Sequence, residues 1–237
     1  MAKDIAGKVV IVTGAATLPF LILVAVIFIY GLRLGLFLLI RETKNAAYRK
    51  TLASAGGDKK MPFPVLFSMW LMNAGLFLMQ TSPMYYRLQN VSRELVTNES
   101  VFLWIGVCIS ALGLIIETVA DAQQWRFHSK KKALLKEGKP LSDLPAPYNK
   151  GFNTIGLWSR SRHPNYLGEQ GIWASLYLFS VAAGIGIFNW SIIGALLLIV
   201  LFLGSSSFGE EISASKYPEY AAYQKRVSKF IPWRKYE

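Results

Sequence analysis

The densest chemistry in the chain lies in nine residues, Ser161-Arg162-His163-Pro164-Asn165-Tyr166-Leu167-Gly168-Glu169. They supply a guanidinium, an imidazole, an amide, a phenol and a carboxylate, with Arg160 just before them. The block runs directly into an apolar segment, so its polar groups stand at a membrane boundary. Ionisable groups there are costly to keep and mark a functional site by default. Two other stretches carry matching chemistry. Glu117, Asp121 and Gln124 are spaced i, i+4, i+7, which places two carboxylates and an amide on one helical face. The tail offers Glu210-Glu211, Tyr217, Tyr220, Tyr223 and Arg226. Arginines take phosphate oxygens in forked contacts, while amides, phenols and carboxylates hydrogen-bond neutral groups. The combination points to a membrane site for an anionic or nucleotide cofactor.

The elements that must position these groups are apolar. Of the 237 residues, 53% are hydrophobic and 17% charged, with a mean hydropathy of +0.33. Five apolar blocks approach or exceed the roughly 17 residues a membrane helix needs: residues 9–32, 65–82, 101–120, 167–188 and 190–208. The expected fold is all-α, a polytopic transmembrane helical bundle of about five to seven spans. It forms a single integral membrane domain over residues 1–237, with the cofactor-binding part in 100–237. Arg33 and the short remainder 34–40 argue for one long first helix, read as retained rather than as a cleaved signal.

Charge placement orients the bundle. With five spans, twenty-one Lys/Arg fall in 41–62, 121–165 and the tail, against four (Lys3, Lys8, Arg87, Arg93) on the other side. Positive loops stay cytoplasmic, so the N-terminus is expected outside, and the C-terminus and cofactor site on the cytoplasmic face. The net charge of +12 then reflects orientation, attraction to anionic lipid and a pocket for a polyanion. Nucleic acid is not an expected partner, because the basic residues are tied to a membrane. One cysteine, Cys108, and two histidines, His128 and His163, leave no metal motif. Residues 8–16 look like the first strand of a dinucleotide fold, but no glycine-rich turn follows them.

Along the chain, residues 53–58 read as a flexible break, and Pro83 is expected to end the second span. Tyr85 and Tyr86 follow at an interface, and Asn90 and Asn98 lie in glycosylation triplets within a short polar loop, 84–99. Residues 128–150, basic and then proline-rich, read as the longest cytoplasmic loop. Residues 188–190 alone join the last two spans, and 209–229 reads as helical. Glu210 and Glu211 are also the residue types that favour a helix N-terminus.

The block from Leu157 to Glu169 resembles the C-terminal domain of steroid 5-alpha-reductases and their bacterial relatives. It is similar as well to the sterol C14- and C7-reductases. The tail Glu210-Glu211, Tyr220, Tyr223, Arg226, Ile231-Pro232 fits the same group, and the resemblance covers roughly residues 100–237. It implies a membrane oxidoreductase that transfers a hydride from NADPH to a conjugated double bond of a steroid-like or other lipophilic substrate. The cofactor residues it implies are Glu117, Asp121, Gln124, Arg126, Arg160, Arg162, His163, Asn165, Tyr166, Glu169, Glu211, Tyr220, Tyr223 and Arg226. The substrate half departs from the pattern. No Glu–Tyr pair stands in the early helices, and Gln80 and Tyr85 are the catalytic candidates there. Isoprenylcysteine carboxyl methyltransferases share an Arg-His-Pro-x-Tyr-x-Gly block and a similar tail, so S-adenosylmethionine-dependent methyl transfer is the alternative. A non-catalytic lipid-binding protein is a third reading. Membrane lipids and a lipophilic small molecule are the expected partners.

Overall fold

The structure, a computed structural model, describes residues 18–44, 62–89 and 97–233. The described chain forms α1 (Leu18–Lys44), α2 (Phe63–Gln89), α3 (Thr97–Lys136), α4 (Pro164–Ser180), α5 (Ile193–Lys216) and α6 (Tyr220–Arg226). Short 3-10 turns lie between 141 and 159, and a π turn spans Val181–Ile185. Extended pairing among the described residues is one parallel bridge, Ser161 with Ser228. The fold is all-helical, as expected.

Among the described residues, four helices are long and apolar enough to cross a membrane: Leu18–Ile40, Phe63–Tyr86, Val101–Lys136 and Trp190–Lys216. They leave large apolar side chains uncovered, such as Phe28, Trp70 and Leu71, each more than 60% exposed. Lipid is the solvent that tolerates such faces. The expectation of one long first helix through Arg33 matches α1, although residues 9–17 of that span lie outside the described residues. So do the break at 53–58 and Asn90.

The expected span at 167–188 is not a continuous helix. α4 ends at Ser180, and Gly184 and Gly186 adopt φ of 76° and 92°, a left-handed conformation open to glycine. The chain then folds back through Asn189, whose side chain accepts from the Ser191 N–H at 3.1 Å and caps the 3-10 turn Trp190–Ile192. The connection to α5 is therefore a built turn rather than three residues.

Three further boundaries differ from expectation. Pro83 lies inside α2 and does not end it. Its missing N–H would orphan the carbonyl one turn back, and the Ser82 hydroxyl donates to that Met79 oxygen at 2.7 Å. Asn98 sits in the first turn of α3 rather than in a loop. The basic stretch 128–136 continues α3, because Ala, Leu and Lys favour helix and Gly138, with φ of 85°, is the first stop.

The chain divides into two compact units, residues 1–107 with 175–195 and residues 108–174 with 196–237. In the first, Phe20 meets Phe179 edge to face at 6.2 Å, and Tyr86 meets Trp190 at 5.5 Å. Gly194 lies against the α2 backbone, where a β-carbon would come within 2.5 Å of Gln80 N.

In the second unit α3 and α4 cross at two glycines. A β-carbon on Gly168 would lie 2.5 Å from Gly113 O and 2.8 Å from Glu117 N, and one on Gly113 would lie 2.6 Å from Gly168 O. Small residues at such crossings let backbones touch. Gly171 lies nearest Gly113 and Ile109, so the two helices run antiparallel. Gly168→Val should therefore cost about 1–3 kcal/mol by overpacking and lower the thermal midpoint by several degrees. Gly204→Ala, where an added methyl meets open space, should leave the midpoint unchanged or slightly raised.

Candidate functional site

The site is built in the second unit from the second half of α3, the 151–163 segment, the start of α4, and the end of α5 with the tail. Glu117 and Asp121 are 2% and 8% exposed, and Gln124 is half-buried. The i, i+4, i+7 face is thus turned inward. The antiparallel register sets Gly168 beside Glu117, and Asn165, one turn earlier on α4, lies along the turn that follows Glu117. Among the described residues, the buried Oδ1 of Asn165 and Oε1 of Gln124 have no hydrogen-bond partner.

The 156–158 turn is laced to α3. Gln123 Oε1 accepts from Leu157 N–H at 2.9 Å, and the Trp158 indole donates to Ala120 O at 3.1 Å. Gly156, at φ of 63°, makes room for this, since a β-carbon there would lie 2.5 Å from the Gln123 amide. Tyr223 of α6 donates to Trp158 O at 2.5 Å. Gly151, at φ of 82°, leaves space for Tyr217, and Lys131 donates to Gly151 O at 2.5 Å. Phe152 packs with Tyr220, Tyr223 and Val227.

One carboxylate ties the Arg-His block to the tail. Glu210, 4% exposed, accepts from Arg162 Nε at 2.8 Å and Nη2 at 3.2 Å, and from Gln224 Nε2 at 3.0 Å. His163 Nε2 stands 2.8 Å from the same carboxylate. Arg162 Nη1 reaches two carbonyls of the tail, Gln224 O at 2.8 Å and Val227 O at 2.5 Å. The backbone pairs too, with Arg162 N–H donating to Ser228 O at 2.9 Å and His163 N–H to Lys229 O at 3.0 Å. The His163 ring stacks on Tyr166, and Tyr166 on Phe202 at 4.3 Å. Burial, reinforced by the negative Glu210, pushes the Tyr220 phenol up to about 12 and keeps it neutral.

The expected site residues thus separate. Glu117, Asp121, Gln124, Asn165 and the half-buried Glu169 lie on α3 and α4 around the crossing. Arg162, His163 and Tyr166 join the clamp to the tail, and Tyr220 and Tyr223 are buried packing groups of that tail. Arg126, Arg160 and Arg226 are exposed, with no acidic partner among the described residues. Gln80 and Tyr85 belong to the first unit, Gln80 buried and Tyr85 exposed. Glu211 is exposed, and its neighbour Glu210 makes the contacts. Helical phase carried that signal. Phe202, Ser206 and Glu210 repeat every four residues, and all three are buried. Gln123, Trp158 and Gln224 were not anticipated, because ordinary polar and aromatic residues carry no motif. No group of three or more metal-ligating side chains is gathered among the described residues.

Removing one member of a buried ion pair strands the other, at a cost of about 3–5 kcal/mol. Glu210→Ala should therefore lower the thermal midpoint strongly, and Glu211→Ala should stay within about 0.5 kcal/mol. Arg162→Met combined with Glu210→Leu should recover most of the loss. Equal effects of the two glutamate variants would remove Glu210 from its place as the clamp.

The family described as "Protein of unknown function (DUF1295)" matches residues 4–227. That family is grouped with the steroid 5-alpha-reductase-like proteins. An uncharacterised protein of Schizosaccharomyces pombe is 35% identical over 136 residues, which are 54% of this chain and 38% of that protein. The chain therefore matches well under half the length of that relative. No solved structure matches.

Proposed function

The chain belongs to the DUF1295 family, and from that premise we propose that it is a membrane oxidoreductase that uses NADPH to reduce a conjugated double bond of a lipophilic substrate. The observation that carries this reading is the polar lining of the α3–α4 crossing. Buried Glu117 and Asp121 stand there with the amide oxygens of Asn165 and Gln124, which lack partners among the described residues. Leaving such atoms unmet in an apolar bundle costs free energy, so a polar ligand is the natural complement.

The residues fit the proposed cofactor. Side-chain amides exchange donor and acceptor ends by rotation, so Asn165 and Gln124 suit a carboxamide. Glu117 and Asp121 suit ribose hydroxyls. The exposed Arg126, Arg160 and Arg226 suit phosphates. When bound, NADPH supplies the hydride. The chain's own work is to hold the cofactor and exclude water, with Trp158 and the 151–158 segment laced over α3. Arg162 is engaged by Glu210 and two tail carbonyls, so it positions the tail, and phosphate recognition falls to the exposed arginines. The site faces the cytoplasm in this reading.

One observation favours methyl transfer instead. The neutralised Arg162 and the His163–Tyr166–Phe202 stack suit a sulfonium better than a polyanion. Parallel titration of the purified protein with NADPH and S-adenosylmethionine separates the two. The expected result is saturable NADPH binding alone. Asn165→Ala should weaken that binding at least about tenfold, with the thermal midpoint little changed, since a stranded buried polar group costs about 1–3 kcal/mol. Arg160→Ala should weaken NADPH more than NADH if it reads the 2′-phosphate. Binding of the methyl donor alone would reassign the site, and binding of neither by folded protein would favour a non-catalytic lipid binder.

A further inference from the structure

We propose that Tyr166 and Ser205 form the docking point for the carbonyl oxygen of a neutral lipid that enters sideways from the bilayer. The role of that lipid rests on the reductase reading, in which it is the substrate and the carbonyl is conjugated to the double bond to be reduced.

Ser205 is a hydroxyl set into an apolar stripe of α5. Leu197 and Leu201 stand one and two turns before it, Phe208 and Ile212 one and two turns after it, and all four are exposed. Ser205 is exposed as well, and it lies inside the candidate span Trp190–Lys216. A β-carbon on the preceding Gly204 would meet open space. The described residues leave this face uncovered, so lipid is what meets it.

The three serines of this turn use their hydroxyls differently. Ser206 and Ser207 donate back to Leu203 O at 3.1 and 2.8 Å, which satisfies a serine within an apolar helix. Ser205 makes one hydrogen bond among the described residues, a long contact of 3.4 Å with the Tyr166 hydroxyl, and that phenol has no other partner there. Two hydroxyls that share one hydrogen bond use one proton and leave the other. Hydrocarbon offers the remaining O–H no acceptor, and leaving it unmet costs free energy. The oxygen of a ketone or ester is the complement, because it accepts without bringing a charge into the stripe.

The phenol is held in place for this. Its ring stacks on Phe202 at 4.3 Å and on His163 at 5.3 Å, and His163 is fixed by Glu210. Asn165 precedes Tyr166 on α4, a step of about 100° around the helix. A carbonyl docked on Tyr166 therefore lies on the face next to the polar lining of the α3–α4 crossing. Negative charge gathers on such an oxygen as its conjugated double bond is reduced, and a preset O–H donor stabilises it.

The test is photolabelling of the full-length protein in lipid nanodiscs with a diazirine-bearing conjugated hexadecenone, competed by the unlabelled enone or by hexadecane. NADPH is titrated on the same samples. The enone should compete about fivefold better than hexadecane, the factor one neutral hydrogen bond supplies. Tyr166→Phe combined with Ser205→Ala removes both hydroxyls, keeps the ring stack and should erase that preference. Ser205→Leu extends the apolar stripe over the phenol and should erase it too, with NADPH affinity and the thermal midpoint unchanged. No preference in the unsubstituted chain, or a preference that survives in both variants, would overturn the proposal. Should the double variant fail to fold, survival of the preference in Ser205→Leu would overturn it alone. A preference that Ser205→Leu abolishes, in protein that does not bind NADPH, would uphold the docking point and remove the reductase reading.

Discussion

A buried carboxylate in an apolar helix must be matched, and Glu210 is matched by three groups at once. The arrangement of the second unit depends on that need. Arg162 and Glu210 are 48 residues apart in sequence, and their pairing returns the tail to the Arg-His block. The remaining donors of Arg162 serve Gln224 O and Val227 O, at the end of α6. That helix has seven residues, too few to stand alone in water. A cation at its C-terminus satisfies carbonyls that the helix leaves open. Charge matching and helix capping are therefore one event here, and the Ser161–Ser228 bridge follows from it.

The depth of the polar wall follows from a second constraint. The crossing of α3 and α4 is set by Gly113 and Gly168, whose backbones leave no room for a β-carbon. Close approach presses Glu117 and Asp121 into the interior instead of leaving them on an open helical face. The same residue types on a wider crossing would be solvated and chemically ordinary. Gly168 stands within the nine-residue block, between Asn165 and Glu169, so that block encodes a packing distance as well as functional groups.

Much of this was legible in the sequence, because its signals are local. Apolar length located α1, α2, α3 and α5, and the i, i+4, i+7 rule found the inward face of α3. The errors came where a local rule was overridden by a neighbour. Pro83 stops a helix unless something serves the freed Met79 carbonyl, and Ser82 does so. Residues 167–188 have the composition of a span, but Gly184 and Gly186 permit a backbone that composition does not reveal. The choice between Glu210 and Glu211 required the phase of α5. The partners Gln123, Gln224 and Trp158 required tertiary contacts between segments far apart in sequence, which no single window contains.

The clamp also constrains what chemistry remains available. An arginine beside a histidine in a conspicuous block invites assignment to a cofactor phosphate. Here the Arg162 guanidinium makes four hydrogen bonds within the protein, two of them to a buried carboxylate. A guanidinium has five N–H donors, so one remains. Transferring it to a phosphate would leave Glu210 buried and undercompensated, which is costly at low dielectric. Recognition of an anion is physically easier at Arg126, Arg160 and Arg226, whose charges are exposed. The block thus divides its labour. Arg162 and His163 hold the tail, Gly168 sets the crossing, and Asn165 is left with a polar atom to offer.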